Sequence, residues 1–329
     1  MHNHGFLPPK NAFAPGPSDD SLDVGIVGAG IAGLSAAIAL SRSGHRVEIF
    51  ERSHFKSEVG AAIHSSPNAT RILKYWGFDF ERAQALDLEQ HQLRKGDSLE
   101  LLEVTDLTHI PAKYGDRYLS FHRVDLHNEL RRLAVESPLS VCPAKINLGA
   151  EVVDVDCEEG IVTLADGSTR RKDLIVAADG VHSRFAYKVT GFDSPAARTG
   201  QAAFRFLIPT RKLLDDEETR SLFEDSMGRL TLAVGEDRRL VWYPCRGHEV
   251  QNFAGIHPDT GSCHADWNSS ASREQLLETF SGFHPRLKAI CRNADDIKLW
   301  PLLSRNPLPT WIKDRLVLVG DAAHPMLPR

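Results

Sequence analysis

The sequence is poor in cysteine, has no long hydrophobic run and carries no excess of basic residues. Its five cysteines form no CxxC pair and leave an odd thiol, which argues against a disulfide framework and favours a reducing, cytoplasmic compartment. The longest apolar stretch, residues 28–40, is shorter than the ~20 residues that cross a bilayer, and residues 1–20 contain no apolar segment typical of a secretory leader. We therefore expect a protein that is neither secreted nor membrane-spanning.

The charge balance and the composition exclude further classes of protein. With 39 Lys and Arg residues against 44 Asp and Glu residues the formal net charge is −5, so we expect no nucleic-acid partner. Hydrophobic residues at 42% and charged residues at 25% are ordinary for a globular chain and exclude disorder throughout. The length of 329 residues predicts about two domains at ~150 residues each. Residues 1–20, rich in proline, glycine and polar residues, are predicted to form a disordered tail.

Residues 22–51 have the pattern of a βαβ unit. A short apolar strand (LDVGIV) is followed by a glycine-rich turn (GAGIAG), an Ala/Leu-rich helix that ends near Ser43-Gly44, and a second strand (HRVEIFE). Two strands joined in this way pair in parallel. We therefore predict an α/β fold with a Rossmann-like first domain.

The rest of the chain is richer in strands. Residues 151–178 predict an antiparallel β-meander, because EEG and DG turns separate short apolar runs. The segment FHRVDLHNELRRL has helical spacing with a predicted start at Asp125. Residues 191–294 combine short strands with helical stretches near 213–223 and 273–280, and we predict a second, smaller, strand-rich domain there.

The turn GAGIAG matches the GxGxxG pattern of dinucleotide binding. Gly28 allows the tight turn, Gly30 admits a pyrophosphate close to the backbone, and Gly33 lets the helix pack on the strand. The helix N-terminus then offers backbone N–H groups to the phosphates. Glu51 ends the second strand, where an acidic side chain can bind a ribose diol. A structural turn is the alternative, and the pattern alone does not separate FAD from NAD.

Four segments together resemble a known family. They are GAGIAG with FER (50–52), EVGAAI (58–63) with PNA (67–69), ADGVHS (178–183) and GDAAHP (320–325). In this order, and spanning nearly the whole chain, they make the sequence similar to the FAD-dependent aromatic hydroxylases, such as salicylate hydroxylase and para-hydroxybenzoate hydroxylase. The resemblance implies FAD as the cofactor, NAD(P)H as a transient co-substrate and O₂ as the oxidant.

The resemblance also implies which residues bind FAD. They are Gly28, Gly30, Gly33, Glu51, Arg52, Ala62, Arg123, Asp179, Gly180, Asp321 and Ala322. Asp321 would hydrogen-bond a ribityl or ribose hydroxyl, with a helix N-cap as the alternative role. Arg123 would lie near the FAD phosphates, with a surface salt bridge as the alternative. Asp179 and Gly180 would contact both FAD and NAD(P)H.

Two further residues stand where similar hydroxylases of phenolic and polyketide substrates act on the substrate. Arg205 lies in AAFRFLI and Tyr243 in VWYPCR. A guanidinium stabilises a phenolate, and a phenol hydroxyl can orient it or pass its proton, so both are candidate catalytic residues. The alternative is a salt bridge for the arginine and a place at the core edge for the tyrosine. The implied reaction adds O₂ at the flavin C4a and transfers one oxygen atom to an activated aromatic substrate.

The resemblance implies a discontinuous FAD-binding domain, residues 21–190 and 295–329, around a substrate domain at residues 191–294. No second GxGxxG occurs, which agrees with a family that has no separate nicotinamide domain. Ala186 stands where the family pattern has an arginine, which makes NAD(P)H use less secure than FAD binding. Cys263 and His264 have no third ligand at metal spacing, so no metal site is predicted.

Similar chains continue past GDAAHP with a turn and a long helix, whereas this sequence ends in MLPR. We therefore expect an uncovered sheet face beside Val317 and Val319. We also expect the sequence to be a fragment, a truncated gene product or the product of a mispredicted transcript. The oligomeric state is left open. Two alternative functions remain at this point: a non-catalytic or impaired FAD-binding remnant, and an NAD-dependent dehydrogenase.

Overall fold

The computed structural model describes residues 21–55, 61–136, 142–259, 261 and 269–327. The tail at residues 1–20, the start of EVGAAI and the Cys263-His264 pair lie outside the described residues. Backbone contacts divide the chain into two units. The first unit comprises the described residues of Met1–Lys56, Leu130–Ala197 and Ser304–Arg329, and the second comprises those of Ser57–Glu129 and Arg198–Leu303.

The strands and helices are bounded as follows. The strands are β1 (Asp23–Val27), β2 (Arg46–Glu51), β3 (Ala62–Ser65), β4 (Leu86–Asp87), β5 (Gln90–Lys95), β6 (Leu101–Asp106), β7 (Leu119–His122), β8 (Lys145–Leu148), β9 (Val152–Asp156), β10 (Ile161–Leu164), β11 (Thr169–Arg171), β12 (Leu174–Ala177), β13 (Ala197–Pro209), β14 (Arg229–Val234), β15 (Arg239–Cys245), β16 (Val250–Pro258), β17 (Lys298–Ser304), β18 (Ile312–Lys313) and β19 (Leu316–Leu318). The helices are α1 (Ile31–Arg42), α2 (Pro67–Tyr75), α3 (Ile110–Tyr114), α4 (Arg123–Glu136), α5 (Ala186–Thr190), α6 (Thr210–Asp215), α7 (Arg220–Phe223), α8 (Arg273–Thr279) and α9 (Pro285–Arg292), with a 3₁₀ turn at Gly320–Ala322.

The first unit contains a six-stranded sheet in the order β18-β19-β12-β1-β2-β8. Strands β19, β12, β1, β2 and β8 run parallel, and only β18 at the edge is antiparallel. Val24 and Ile26 of β1 are completely buried, as expected for a central strand covered on both faces. The predicted α/β, Rossmann-like fold is therefore confirmed, and the βαβ unit begins it.

The predicted β-meander is present but is built from different strands. Strands β9, β10 and β11 form a three-stranded antiparallel sheet. We expected residues 173–178 to be its third strand, but β12 instead pairs in parallel with β1 and β19. The run LIVA is almost entirely buried, which suits the covered parallel sheet, whereas the polar TRR of β11 suits an exposed edge.

The second unit contains a seven-stranded sheet in the order β17-β13-β16-β15-β14-β5-β6. Side chains alternate between the two faces of a strand. One face of β13 contributes Phe204 and Phe206 to a large apolar core, to which α8 and α9 contribute Leu276 and Ile290. The opposite face carries Arg205, which the alternation places away from this core.

Two local expectations are corrected. Helix α4 begins at Arg123 rather than Asp125, because Phe121 and His122 belong to strand β7, which pairs with β3. Helix α9 and strand β17 were not anticipated from the irregular pattern of the second half. Residues 57–129 cluster with the second unit, although we expected them within the FAD-binding domain. Which residues bind FAD and which bind substrate stays a prediction. No helix within the described residues is long and apolar enough to cross a membrane.

A buried lysine joins two strands of the parallel sheet. The Lys172 ammonium lies 2.9 Å from Asp23 Oδ1 and 2.8 Å from Glu48 Oε2, and the residue is only 6% exposed. Burial alone would raise the pKa of Glu48, but the hydrogen bond and charge of Lys172 hold it below its ordinary value. This ion pair therefore contributes stability when Glu48 is ionised.

We expect Lys172→Ala to lower the free energy of unfolding by ~3 kcal/mol, because two carboxylates then lose their buried partner. Lys145→Ala is the control, since its exposed ammonium lies 3.4 Å from the same Glu48 carboxylate, and a loss below ~1 kcal/mol is expected. The difference should shrink as the pH falls through the lowered pKa of Glu48. Urea unfolding measures both variants, and equal losses would contradict this account.

Candidate functional site

Predicted site residues of the first unit lie at one edge of its parallel sheet. Strand β1 leads into Gly28, β2 ends at Glu51, β12 leads into Asp179, and β19 leads into Gly320 and Asp321. These four strands are neighbours and run in parallel. Ligands of open α/β sheets bind outside the carboxyl ends of such strands. The fold therefore gathers segments that are up to about 290 residues apart in the sequence.

The three glycines of the first turn have different structural roles. Gly28 has φ +98°, and a Cβ on it would lie 2.6 Å from the carbonyl oxygen of Ala178. A Cβ on Gly33 would lie 2.0 Å from the carbonyl oxygen of Gly28. A Cβ on Gly30 would meet nothing within 4 Å. The first and third glycines are thus required by packing, whereas the second borders open space at the start of α1.

Helix α1 presents its N-terminus to this open space. Gly30 is its N-cap, no side chain caps the helix, and its first turn contains no acidic residue. Backbone N–H groups at a helix start favour a bound anion, because they have no partner within the helix and carry the positive end of its dipole. The turn is therefore suited to a phosphate group.

Glu51 is fixed beside the same turn. Its Oε2 accepts a hydrogen bond from the Ala29 N–H at 2.7 Å, and its Oε1 accepts one from the Ser53 N–H at 2.8 Å. Each carboxylate oxygen retains a further lone pair for a ligand hydroxyl. The side chain is thus held in place and can still bind a ribose diol.

Two aspartates follow the other strands of this edge. Asp179 Oδ2 accepts a hydrogen bond from the Arg184 N–H at 2.8 Å, whereas Oδ1 is buried and has no partner among the described residues. Burial raises the pKa of Asp179. Asp321 is exposed in the 3₁₀ turn, and no side chain caps that turn, so the alternative role as an N-cap is not supported. Both carboxylates are available to hydroxyl or N–H groups of a ligand.

The second unit holds the two candidate catalytic residues on one face of its sheet. The register pairs Arg205 with Ala254 and Ala254 with Val241, and Tyr243 follows two residues later on the same face. The Arg205 guanidinium carbon lies 5.4 Å from the centre of the Trp300 ring. Its Nε is buried without a partner among the described residues. The structure therefore brings the predicted pair together.

The titration of both groups is shifted by burial. Burial lowers the pKa of Arg205, and the nearby Tyr243 hydroxyl opposes this shift. Burial raises the pKa of Tyr243 well above its ordinary value, although Arg205 acts in the opposite direction. No described carboxylate contributes to the shift of Arg205, so its positive charge has no acidic counter-ion there.

Ala62 is held by two side chains of the same unit. Its N–H donates to Asn252 Oδ1 at 2.9 Å, and its carbonyl accepts the Tyr243 hydroxyl at 2.9 Å. A contact between Ala62 and a cofactor would therefore use its methyl group or the remaining lone pair of its carbonyl oxygen. Arg123 begins α4, and its N–H donates to the Ala61 carbonyl at 2.7 Å. Sequence reasoning missed Asn252, because a lone asparagine in the strand VQNFAGIHP carries no pattern.

The FAD binding domain family matches residues 21–329. An FAD-dependent monooxygenase of Diaporthe leptostromiformis, phomE', is 38% identical over 283 residues, which are 85% of this chain and 72% of that protein. Hispidin-3-hydroxylase of Neonothopanus nambi is 34% identical over 323 residues, 94% of this chain and 76% of that protein. The chain belongs to the FAD-dependent aromatic hydroxylase family.

A solved structure agrees with this membership. A salicylate hydroxylase in complex with its substrate has a TM-score of 0.76 and 26% identity, over 94% of this chain and 75% of that one. As a member of the FAD-dependent aromatic hydroxylase family, the protein is a flavoprotein monooxygenase with FAD as its cofactor. NAD(P)H and O₂ are the co-substrates typical of this family. This assignment replaces the alternative of an NAD-dependent dehydrogenase.

The polar groups of the first unit fit FAD. The open space at Gly30 and the uncapped start of α1 suit the pyrophosphate. Glu51 suits the adenosine ribose, and Asp321 suits a ribityl hydroxyl. The unpartnered Oδ1 of Asp179 is a buried acceptor that a cofactor N–H or O–H group would satisfy. When bound, FAD supplies the redox chemistry with NAD(P)H and O₂, which no side chain provides.

Arg305 is a further residue of this site that sequence reasoning missed. Its Nη1 donates to the Ala322 carbonyl at 2.7 Å and its Nη2 to the Val181 carbonyl at 3.2 Å. Burial lowers the pKa of Arg305, and the charge of Asp179 opposes this shift. One guanidinium therefore joins the loop after β12 to the turn after β19. No motif in LLSRNPLP signals this role.

The first unit holds three further residues that the sequence analysis singled out: Arg52, Gly180 and Ala186. Arg52 is exposed directly after β2, and Gly180 has φ +84° with nothing within 4 Å of a Cβ built on it. Ala186 is buried at the start of α5, where the core leaves it 3% exposed. Burial raises the pKa of Cys245 to about 12, which keeps its thiol protonated. No cluster of metal-ligating side chains occurs among the described residues.

Gly30 and Gly33 give a matched test of the glycine turn. We expect Gly33→Ala to lower the free energy of unfolding by more than ~2 kcal/mol, because its Cβ overlaps backbone. Gly30→Ala should keep that free energy within ~1 kcal/mol, since its Cβ enters open space. The Gly30→Ala variant should instead bind FAD about tenfold or more weakly, and a tenfold loss is equivalent to ~1.4 kcal/mol. Urea unfolding and flavin titration measure the two effects, and unchanged FAD affinity in Gly30→Ala would refute the phosphate assignment.

Arg305→Lys tests the link between the two loops. One ammonium cannot reproduce the two-pronged hydrogen bonding of the guanidinium, so we expect FAD affinity to fall by about tenfold. Arg315→Lys is the control, because Arg315 also donates to backbone carbonyls of the first unit, those of Glu158 and Asp173. Flavin absorbance titration measures both variants. Equal affinities for the two variants would remove Arg305 from the cofactor site.

Proposed function

We propose that this flavoprotein monooxygenase hydroxylates a phenolic or salicylate-like aromatic substrate, bound through its anionic oxygen by Arg205. The observation that carries the proposal is the Arg205 guanidinium, which has a buried Nε and no carboxylate partner among the described residues. Burial of a cation without a counter-ion costs free energy of desolvation, and binding of a ligand anion offsets that cost. The site is therefore suited to a phenolate or a carboxylate.

The charge at Arg205 also fits the chemistry of aromatic hydroxylation. An ionised phenol oxygen feeds electron density into the ring and makes its ortho and para carbons nucleophilic. A guanidinium that stabilises this anion favours the reactive form of the substrate at neutral pH. The Trp300 ring, whose centre lies 5.4 Å from the guanidinium carbon, makes a cation–π contact that helps to hold the guanidinium in position for the anion.

Tyr243 is proposed to position the substrate. Its hydroxyl hydrogen is donated to the Ala62 carbonyl, so the oxygen retains lone pairs that can accept a hydrogen bond from a ligand. Its raised pKa keeps it neutral, and a neutral group beside Arg205 does not compete with a substrate anion for the positive charge. The two relatives named for hispidin and salicylate support an aromatic substrate of this kind.

We propose that the first unit binds most of the cofactor and that the sheet of the second unit binds the substrate. The placement of the glycine turn, Glu51 and Asp321 in the first unit supports the former, and that of Arg205 and Tyr243 in the second supports the latter. A cytoplasmic location is supported by Cys142, Cys157, Cys245 and Cys291, which are all free thiols.

Arg205→Gln tests the proposed function. We expect phenol-stimulated NAD(P)H oxidation by the FAD-loaded protein to lose about tenfold or more in kcat/KM, because a charge-assisted hydrogen bond is worth ~1.5–3 kcal/mol. The control is Arg198→Gln on the same strand, whose guanidinium pairs with Asp259 at 3.1 Å. A panel of phenols and hydroxybenzoates provides the substrates. A purified protein that binds FAD but responds to no member of the panel would support the impaired remnant instead.

A further inference from the structure

Helices α2 and α3 of the second unit carry a patch of exposed apolar side chains. Ile72 is 47% exposed, and Tyr75 and Tyr114 are each 49% exposed. Single exposed apolar residues are common on soluble proteins, whereas a group of them marks a binding surface. We call Ile72, Tyr75 and Tyr114 the α2–α3 patch.

The packing of α2 does not account for its two members of the patch. The buried residues of the helix are Pro67, Thr70 and Leu73, which follow one another at a spacing of three and face the protein. Ile72 and Tyr75 are also three residues apart and lie on the opposite side of the helix. An exposed helix face is ordinarily polar, so these two side chains need another explanation.

The two helices that carry the patch are linked by side-chain contacts. Arg71 Nη2 donates to the Tyr114 carbonyl at 2.6 Å, which joins the exposed face of α2 to the end of α3. The Lys74 ammonium lies 3.6 Å from Asp116 Oδ2, just past the end of α3. The Lys113 ammonium lies 5.1 Å from the centre of the Tyr114 ring. The apolar patch therefore shares one surface with three cations.

The positive charges of this surface outnumber its negative charges. All three cations are exposed, and the Lys74 side chain is 68% exposed. The side chain of its partner Asp116 is only 5% exposed. The next acidic residues along the chain, Asp79 and Glu81, lie past the end of α2, and Arg82 lies 3.5 Å from Asp79. The surface is therefore locally basic, although the whole chain has a formal net charge of −5.

We propose that the α2–α3 patch and its cations bind the surface of an anionic phospholipid membrane. Isoleucine and tyrosine side chains enter the boundary between headgroups and acyl chains, where a tyrosine hydroxyl stays hydrated. The lysines and the arginine attract anionic headgroups. The cytoplasmic leaflet of cell membranes is anionic, which agrees with the proposed cytoplasmic location. This inference goes beyond the proposed function and does not depend on it.

The composition of the surface favours lipid over a protein partner. Protein–protein interfaces are enriched in tyrosine and arginine but depleted of lysine, whereas lysine is common beside apolar side chains at a membrane surface. Two of the three cations here are lysines, Lys74 and Lys113. A second copy of the chain docked patch to patch would bring like charges together, which disfavours a symmetric dimer through this surface.

A second group of exposed apolar residues in the same unit has the opposite charge around it. Leu101, Leu102 and Val104 of β6 are each 45% exposed. The exposed residues beside them in the sequence are acidic, Glu100 and Glu103. An anionic lipid surface repels such a strand. The combination of apolar and basic side chains therefore distinguishes the α2–α3 patch, and β6 supplies a matched control.

Vesicle sedimentation of the full chain loaded with FAD tests the proposal. The protein is mixed with vesicles of phosphatidylcholine alone, or with vesicles in which about a third of the lipid is phosphatidylserine. We expect about tenfold or more stronger partition onto the phosphatidylserine vesicles, because each lysine or arginine near an anionic surface contributes about a fivefold factor. Raising NaCl from about 0.1 M to about 0.5 M should remove most of this difference, because salt screens the attraction.

Two matched pairs of variants locate the binding surface. Ile72→Ser should weaken partition about fivefold, because it removes a side chain that enters the lipid, whereas Leu102→Ser on β6 should leave partition unchanged. Lys113→Gln should weaken partition about fivefold, whereas Lys95→Gln, which removes one positive charge elsewhere in the same unit, should not. Thermal unfolding at the wild-type temperature shows that each variant is folded.

Each outcome bears on the proposal. Partition of the wild type onto neither kind of vesicle, or equally onto both, overturns it. Equal effects of the two variants within either pair also overturn it, because binding would then not be located at the α2–α3 patch. If Ile72→Ser does not fold, the pair Lys113→Gln and Lys95→Gln decides alone. Phenol-stimulated NAD(P)H oxidation in solution tests the proposed function separately, so the two proposals fail independently.

Discussion

The close packing of helix α1 against the end of strand β1 is the contact on which the cofactor site depends. There is no room for a side chain at Gly28 or Gly33, because a Cβ at either would overlap backbone oxygen. This contact fixes where the helix begins and therefore where its N–H groups point. Glu51 then hydrogen-bonds to the turn at Ala29, so the neighbouring strand is tied to the same point.

Buried polar atoms without hydrogen-bond partners occur at both the proposed cofactor site and the proposed substrate site. Most buried polar atoms of a folded protein have hydrogen-bond partners. Among the described residues of the proposed sites, four carry an orphaned atom: Asp179, Arg205, Asn252 and Arg305. Asp179 and Arg305 belong to the cofactor edge, and Arg205 and Asn252 belong to the substrate face. Binding of a ligand with complementary charge or hydrogen-bonding capacity would offset the free-energy cost of burying these atoms unpaired.

The sequence predicted the parts of this site that rest on local pattern. The glycine turn, Glu51 and the α/β class followed from spacing, and the family resemblance supplied FAD. The α/β fold, the family and the FAD cofactor are confirmed, whereas the cofactor-binding roles of the glycines and of Glu51 stay predictions. Arg305 and Asn252 were not predicted, because their contacts are with loops and strands distant in the sequence that only the folded chain brings together. The third strand of the β-meander was misassigned for a similar reason. Strand β12 was expected in that position, but it pairs in parallel with β1, which is distant in the sequence, and β11 pairs with β10 instead.

One face of strand β13 packs into the apolar core, and the opposite face carries Arg205. The two faces therefore respond differently to changes in the sequence. Insertion or deletion of one residue would exchange the two faces, bringing the arginine into the apolar core and phenylalanine into the substrate region. Replacement at residues 205 and 207 alters only the open face. Replacement of side chains on the open face therefore leaves the apolar core of the second unit in place, whereas a change in the length of the strand does not.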